Sequence, residues 1–259
     1  MTRKTLIVGY GITGRNLEKE IFSLCPDIAD IKFTGHFKEK KYPTYDVIFI
    51  CVDTKYLGND NPCDLTDIMS AIEEYSQYLK SDGIFVIKST ILPGTTDKLI
   101  EKYGYKFIFS PEYYGNTINC NSYTFNFTIL GGNKEDCIKV EQILLPCFNG
   151  EHLFRLTDSK TAELTKYMEN SYLATIVSFC NQFYNIAERL GVSYEELREL
   201  FILDPRVNKS HTNVFQDQRY WDSHCLNKDV RAIAECMDAD LLLDIIKFNE
   251  KQKEDYSIR

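Results

Sequence analysis

Short apolar runs and helical spacings alternate through the first part of the chain. Thr5 to Val8 is apolar and stops at Gly9, and Arg15 to Leu24 follows with helical spacing. Ile31 to Thr34 reads as a second strand, and Asp46 to Val52 as a fully buried one. A helix over Leu65 to Leu79 leads to a strand over Gly83 to Ile87. A helix over Thr96 to Lys102 leads to another over Lys106 to Phe109. Phe127 to Leu130 is again strand-like and Lys134 to Leu145 helical. Continuous apolar strands separated by helices predict a parallel sheet covered on both faces. Near residue 155 the pattern changes. Thr157-Asp158 is a helix-opening pair, and apolar residues recur at helical spacing from Ser159 to Leu190, where Gly191 suits the C-cap. Ser193-x-x-Glu196 resembles a capping box opening a further helix. Asn208 to Ser223 is polar and aperiodic and reads as a loop, and a last amphipathic helix is predicted over Lys228 to Lys251. The expected fold is an α/β domain over residues 1-155 followed by an all-helical domain over residues 156-259.

Composition narrows the function. The 259 residues are 44% hydrophobic and 26% charged, the balance of a folded globular chain. Thirty Lys and Arg against 38 Asp and Glu leave a formal charge of −8, which argues against nucleic acid and anionic membrane as partners. No apolar run is long enough to span a bilayer. Nine cysteines are scattered without a CxxC pair, so neither a disulfide framework nor a metal site is expected. The thiols read as reduced and the location as cytoplasmic.

Gly9-Tyr10-Gly11-Ile12-Thr13-Gly14 sits between the first strand and a helix, the setting in which GxGxxG binds a dinucleotide. It makes the first domain Rossmann-type. A ribose-binding carboxylate is expected roughly 20 residues on, and the stretch there, Phe33-Thr34-Gly35-His36, contains none. Weak cofactor binding follows. Lys38, Lys40 and Lys41 could meet a 2′-phosphate or form a solvated surface run, so NAD and NADP both stay open at this point. Polar residues close the later strands: Val52-Asp53-Thr54, Lys88-Ser89-Thr90 and Ser110-Pro111-Glu112. Lys166 and Asn170 lie four apart on the long helix, and Cys225-Leu226-Asn227-Lys228-Asp229 comes later.

In this order the motifs resemble those of the UDP-glucose/GDP-mannose dehydrogenase family: GxGxxG, V-x-T-P, K-S-T-x-x-P-G-T-T, S-P-E-F, A-E-L-x-K-Y-x-x-N, D-x-R-I-G and G-G-x-C-x-P-K-D. The stretch Asp204 to His211 looks most like the UDP-glucose branch. The resemblance implies NAD as cofactor, held by Gly9, Tyr10, Gly11, Ile12, Thr13, Gly14, Val52, Asp53, Thr54, Ser89 and Thr90. It implies Cys225 as nucleophile, Lys166 and Asn170 as oxyanion partners, and Thr90, Glu112 and Asp229 as handlers of protons and water. Glu112, Lys166 and Asn170 would also touch a UDP-sugar substrate, and Arg206 would reach it across a dimer. Oxidising a primary alcohol to an acid needs two hydride transfers, and a thiol can hold the aldehyde between them.

The chain also departs from the pattern. Trp221-Asp222-Ser223 replaces the glycines before the nucleophile, Asn227 and Lys55 stand where proline is usual, and a second family carboxylate falls on Asn116. Family members continue beyond this point with a nucleotide-holding domain. Two rivals therefore stand beside UDP-glucose oxidation. One is a two-electron β-hydroxyacid dehydrogenase, which needs no thiol. The other is a degenerate dinucleotide-binding subunit that serves a full-length partner. The long helix carries surplus apolar residues, Tyr172, Val177, Phe179 and Phe183 among them, and predicts a homodimer.

Overall fold

The structure is a computed structural model and describes residues 4–30, 44–114 and 125–257. By its contacts the chain divides into two compact units, Met1–Lys55 with Cys63–Lys166 and Tyr56–Pro62 with Tyr167–Arg259. The division falls inside the long helix, not before it.

The first unit is built on seven strands: β1 (Thr5–Val8), β2 (Asp27–Ala29), β3 (Tyr45–Ile50), β4 (Leu79–Ile87), β5 (Lys106–Phe109), β6 (Phe127–Gly132) and β7 (Leu153–Thr157). Their order in the sheet is β2-β1-β3-β4-β5-β6-β7. The first five run parallel, β6 is antiparallel to β5, and β7 is parallel to β6. Strict alternation sends Leu6, Val8, Ile48, Ile50, Phe85 and Ile87 to one face, against α2 (Thr66–Tyr75) and α3 (Thr95–Tyr103). Ile7, Val47, Phe49, Ile84 and Val86 meet α1 (Ile12–Glu20) and α4 (Lys134–Leu144) on the other. Both faces are covered, which is why these strands read as unbroken apolar runs.

The second unit is helical. Tyr167 onward continues α5 (Ser159–Leu190), followed by α6 (Tyr194–Phe201), α7 (His224–Cys236) and α8 (Asp240–Ser257). Ala174 of α5 packs with Trp221, Leu226, Val230, Ile245 and Ile246. Gly191 ends α5 at φ +67 while the Val192 amide reaches back to the Ala187 carbonyl, the expected glycine cap. Ser193 caps α6 by accepting from the Glu196 amide.

Three expectations need correction. Where one final helix was expected from Lys228, two helices form, and the first starts at His224. The break lies at Asp238, which adopts φ +49 while the Ala239 amide bonds the Ala234 carbonyl. An aspartate can take the left-handed cap usually given to glycine, so no Gly or Pro announces the stop. The alternating Leu153–Thr157 forms an unforeseen edge strand. The second strand lies at Asp27–Ala29, and the expected strand at 31–34 falls outside the described residues.

One buried carboxylate organises the first unit. Glu163, on the first turns of α5, is fully buried and accepts from the amides of Gly94 and Thr96 and from the Thr96 hydroxyl. It satisfies the orphan donors that open α3. Nearby, a Cβ on Gly131 would fall 2.3 Å from the Ala162 Cβ, so α5 lies directly on β6. We expect Glu163→Ala to destabilise the chain by about 3 kcal/mol, because it strands several buried donors. Glu163→Gln should recover part of that loss. Urea unfolding monitored by circular dichroism measures both, and an unchanged midpoint for Glu163→Ala would refute the capping role.

Candidate functional site

The sheet order reverses at β1, which places a crevice at the carboxyl ends of β1 and β3. The glycine loop fills that position, and each glycine has its own reason. Gly9 has φ +94, and a Cβ on it would stand 2.7 Å from the Cys51 carbonyl. A Cβ on Gly14 would come within 2.0 Å of the Gly9 carbonyl oxygen, so only glycine lets α1 approach the strand end. Gly11 caps α1, and a Cβ there would meet nothing within 4 Å. That open space at a helix N-terminus fits a pyrophosphate.

The carboxylate thought to be missing is present. Asp30 directly follows β2, and its Oδ2 accepts from the Tyr10 amide at 2.6 Å. A carboxylate at the end of the second strand, bonded to the glycine loop, is where a Rossmann fold meets the ribose hydroxyls. β2 ends a few residues before the strand expected at 31–34, so the carboxylate at its end precedes Phe33-Thr34-Gly35-His36. Phe33-Thr34-Gly35-His36, Lys38, Lys40 and Lys41 lie outside the described residues, as does Asn116. Loop, helix opening and Asp30 together fit a dinucleotide with a free 2′-hydroxyl.

At the ends of β3 and β4 the two polar motifs bond each other. Thr54 Oγ1 donates to the Thr90 carbonyl at 2.9 Å, and Ser89 Oγ donates to the Val52 carbonyl. Thr54 and Ser89 are buried, whereas Asp53 is exposed and accepts from the Thr54 amide. Beyond β5, Glu112 turns back so that Oε1 accepts from the amides of Tyr113 and Tyr114. Its Oε2 faces Lys88 Nζ at 3.6 Å, and both side chains are about nine-tenths buried. Glu112 therefore does more than end a strand.

Along α5, Lys166 and Asn170 are 7% and 4% exposed, which excludes a solvated polar patch. Lys166 Nζ lies 4.9 Å from the centre of the Tyr113 ring. Asn170 Nδ2 donates to Asp229 Oδ2 at 2.6 Å, and Lys228 Nζ donates to Asp229 Oδ1. Sequence reasoning missed Lys228 because it faces a neighbour in its own motif. Cys225 is exposed in the first turn of α7, four residues before Asp229 and so on the same side of that helix. His224, expected in a loop, is the first residue of α7. Arg206 is highly exposed and forms a two-pronged pair with Asp204. Among the described residues its hydrogen bonds go to Asp204 and not to Asn170 or Asp229.

The stretch that replaces the glycines is pinned. Trp221 is buried, its indole N–H donates to Ser178 Oγ at 3.0 Å, and the Asn249 amide bonds both its backbone N–H and C=O at 2.9 Å. Ser223 then caps α7 through the Leu226 amide. Cys225 thus follows a segment tied to α5 and α8.

Residues 15–146 match the NAD binding domain of the UDP-glucose/GDP-mannose dehydrogenase family, and residues 160–251 match its central domain. UDP-glucose 6-dehydrogenase of Rickettsia prowazekii is 27% identical over 234 residues, covering 85% of this chain and 52% of that protein. UDP-N-acetyl-D-mannosamine dehydrogenase of Methanocaldococcus jannaschii is 33% identical over 201 residues, 75% of this chain and 46% of that protein. The chain spans about half the length of these curated relatives. The solved UDP-glucose dehydrogenase of Pyrobaculum islandicum shares the fold with a TM-score of 0.80 at 19% identity, over 97% of this chain and 68% of that one. With both domain matches lying on the glycine loop's own sheet and on the helices that carry Lys166, Asn170 and Cys225, the chain belongs to the UDP-glucose/GDP-mannose dehydrogenase family.

Proposed function

We propose that this chain oxidises the C6 primary alcohol of a nucleotide sugar to the acid, with UDP-glucose yielding UDP-glucuronate as the first substrate to test. The carrying observation is the buried Asn170–Asp229 hydrogen bond with Cys225 one turn before Asp229 on α7. An amide donor, a carboxylate and an accessible thiol on packed helices are the parts that an aldehyde-holding step requires. NAD, when bound, accepts the hydride of each oxidation.

The chain's own residues do the rest. The Cys225 thiolate adds to the aldehyde carbon and forms a thiohemiacetal, whose oxygen Asn170 and Lys166 stabilise as donors. Loss of hydride leaves a thioester. Water then attacks the acyl carbon, the thiolate departs, and Asp229 and Glu112 take up protons. Thr90 orients water, and Arg206 reaches substrate bound to a second copy. Each alcohol consumes two NAD and one water. The thiol separates this reading from single oxidation of a β-hydroxyacid, which has no aldehyde to retain. UDP-N-acetyl-D-mannosamine undergoes the same chemistry and is the competing substrate, since a relative of each kind matches the chain.

Cofactor binding is the first test. With Asp30 in place, NADH should bind saturably, and Asp30→Ala should weaken it about tenfold, the loss of roughly one charge-assisted hydrogen bond. NADPH should bind more weakly than NADH, because its 2′-phosphate meets a carboxylate. Fluorescence titration reads all three, and equal affinities throughout would remove Asp30 from the cofactor site.

The second test is chemical. Exposed in the opening turn of a helix, Cys225 is placed where a thiolate is favoured. It should alkylate fastest of the cysteines with iodoacetamide, and UDP-glucose should protect it. Turnover should release two NADH per UDP-glucose, and Cys225→Ala should abolish acid formation. Ordinary, unprotected labelling at Cys225 together with no acid would overturn this reading and leave the β-hydroxyacid dehydrogenase and the cofactor-binding partner subunit.

Assembly provides the third test. Leu164, Met168, Tyr172, Phe179 and Phe183 are exposed at spacings that put them on one side of α5. Val177, by contrast, is packed inside the second unit. We expect a homodimer through this stripe, with light scattering giving twice 30.1 kDa. Phe179→Glu should shift it toward the monomer, and a wild-type monomer at micromolar concentration would reject the interface.

A further inference from the structure

Glu20, the last residue of α1, has no part in the functions argued above, yet it joins a buried charged cluster. With Lys88, Glu112 and Tyr114 it lines a recess closed by Phe127 and Thr128, with about 10 Å³ open to the centre of a water molecule. That is the room of roughly one water site. Lys88 Nζ lies within reach of Ser110 Oγ at 3.5 Å and the Pro111 carbonyl at 3.4 Å, and it faces Glu112 Oε2 at 3.6 Å. That Oε2 is fully buried and accepts no hydrogen bond. The Tyr114 hydroxyl donates to Glu20. Two carboxyl groups therefore border one ammonium in a space with little water. Both cannot be ionised cheaply, and the pair behaves as one coupled system.

We propose that Glu20 is a positioning residue for Glu112: as a neutral acid it leaves the Lys88 ammonium to Glu112 and ties the arm after β5 to α1 through Tyr114. On losing its proton it competes for Lys88 and loosens Glu112. Burial drives the neutral form, opposed by Lys88, reinforced by the Glu112 charge and opposed again by Tyr114, and the outcome lifts Glu20 from 4.5 to about 7. Two further groups beside Lys88 and Glu112 are pushed up, away from neutral pH. Burial pushes the thiol of Cys51, just after β3, far up, and burial followed by the Glu20 charge pushes the Tyr114 phenol up. Glu20 is then the group that changes charge near neutral pH.

The consequence for stability has a definite sign. A carboxyl whose folded value exceeds its unfolded value stabilises the fold fully below about 4.5, and that contribution fades as pH rises through 7. The wild-type Tm should therefore fall between about pH 5 and 8 more than that of Glu20→Gln.

Nuclear magnetic resonance on the full chain with ¹³C-labelled glutamate tests the proposal directly. One carboxyl resonance should titrate near 7, vanish in Glu20→Gln, move to lower pH in Glu112→Gln and move to higher pH in Lys88→Met. A merely structural Glu20 would not have its midpoint set by Glu112. Absence of any glutamate titrating above about pH 6, or a midpoint indifferent to Glu112→Gln, overturns the proposal. The catalytic consequence rests on the reading of Glu112 as a substrate-handling residue. In that case wild-type kcat declines above about pH 7 while that of Glu20→Gln stays level. An inactive protein would defeat that reading alone, because the resonance experiment decides the Glu20–Glu112 coupling without turnover.

Discussion

Three polar side chains are buried along one side of a single helix, α5, and its neighbours are built to meet them. Glu163, Lys166 and Asn170 recur at spacings of three and four on α5, and all three are at least nine-tenths buried. Such groups are costly inside a protein unless each finds a partner. Each does, and each partner is a different element. Glu163 takes the opening of α3, Lys166 sits over the Tyr113 ring, and Asn170 holds Asp229 of α7. Within the first unit, satisfying Glu163 and Lys166 fixes where α3 and the arm after β5 lie against the start of α5, and within the second, satisfying Asn170 fixes α7.

The same helix carries apolar residues on both of its sides. At about 100° per residue, Leu164, Met168, Tyr172, Phe179 and Phe183 fall on the side opposite Glu163, Lys166 and Asn170. The buried side carries those three polar residues together with Ala162, Tyr167, Ala174, Cys180, Tyr184 and Ala187, while the apolar stripe is exposed. A helix selected only for its own folding would not need that exposed stripe. Burial of Lys166 and Asn170 leaves an ammonium and an amide where water is excluded and hydrogen bonds are strong.

The parts of this fold that sequence made legible are those where one local signal sufficed. Gly191 ends α5, Ser193 opens α6, and the unbroken apolar runs lie in a sheet covered on both faces. Signals failed where the meaning came from a neighbour far along the chain. Asp30 looks like any loop aspartate until the Tyr10 amide is found against it, and β2 contributes only three residues to mark the strand it ends. Asp238 breaks a helix without Gly or Pro, so the periodicity of α7 and α8 runs together. Lys166 and Asn170 were recognised by spacing, but spacing alone could not separate a buried pair from a solvated one. Their partners, Tyr113 and Asp229, lie 53 and 59 residues away in sequence.

The replaced glycines illustrate how a lost motif can leave its purpose intact. Glycine before a nucleophile gives the backbone freedom and close access. Trp221-Asp222-Ser223 gives the opposite, a segment fixed at several points. The Trp221 indole is bonded to Ser178 and its peptide groups to Asn249, Asp222 accepts from Asn227 and Lys253, and Ser223 caps α7. Fixing the segment sets the start of α7, and with it the direction of Cys225, before any substrate arrives. The entropy a mobile glycine loop would lose on binding is then already lost in folding. What the exchange gives up is the backbone freedom and close approach that glycine allows. The Asn170–Asp229 hydrogen bond from α5 to α7 lies within the helical unit and does not depend on the loop's amides, so the exchange leaves it in place.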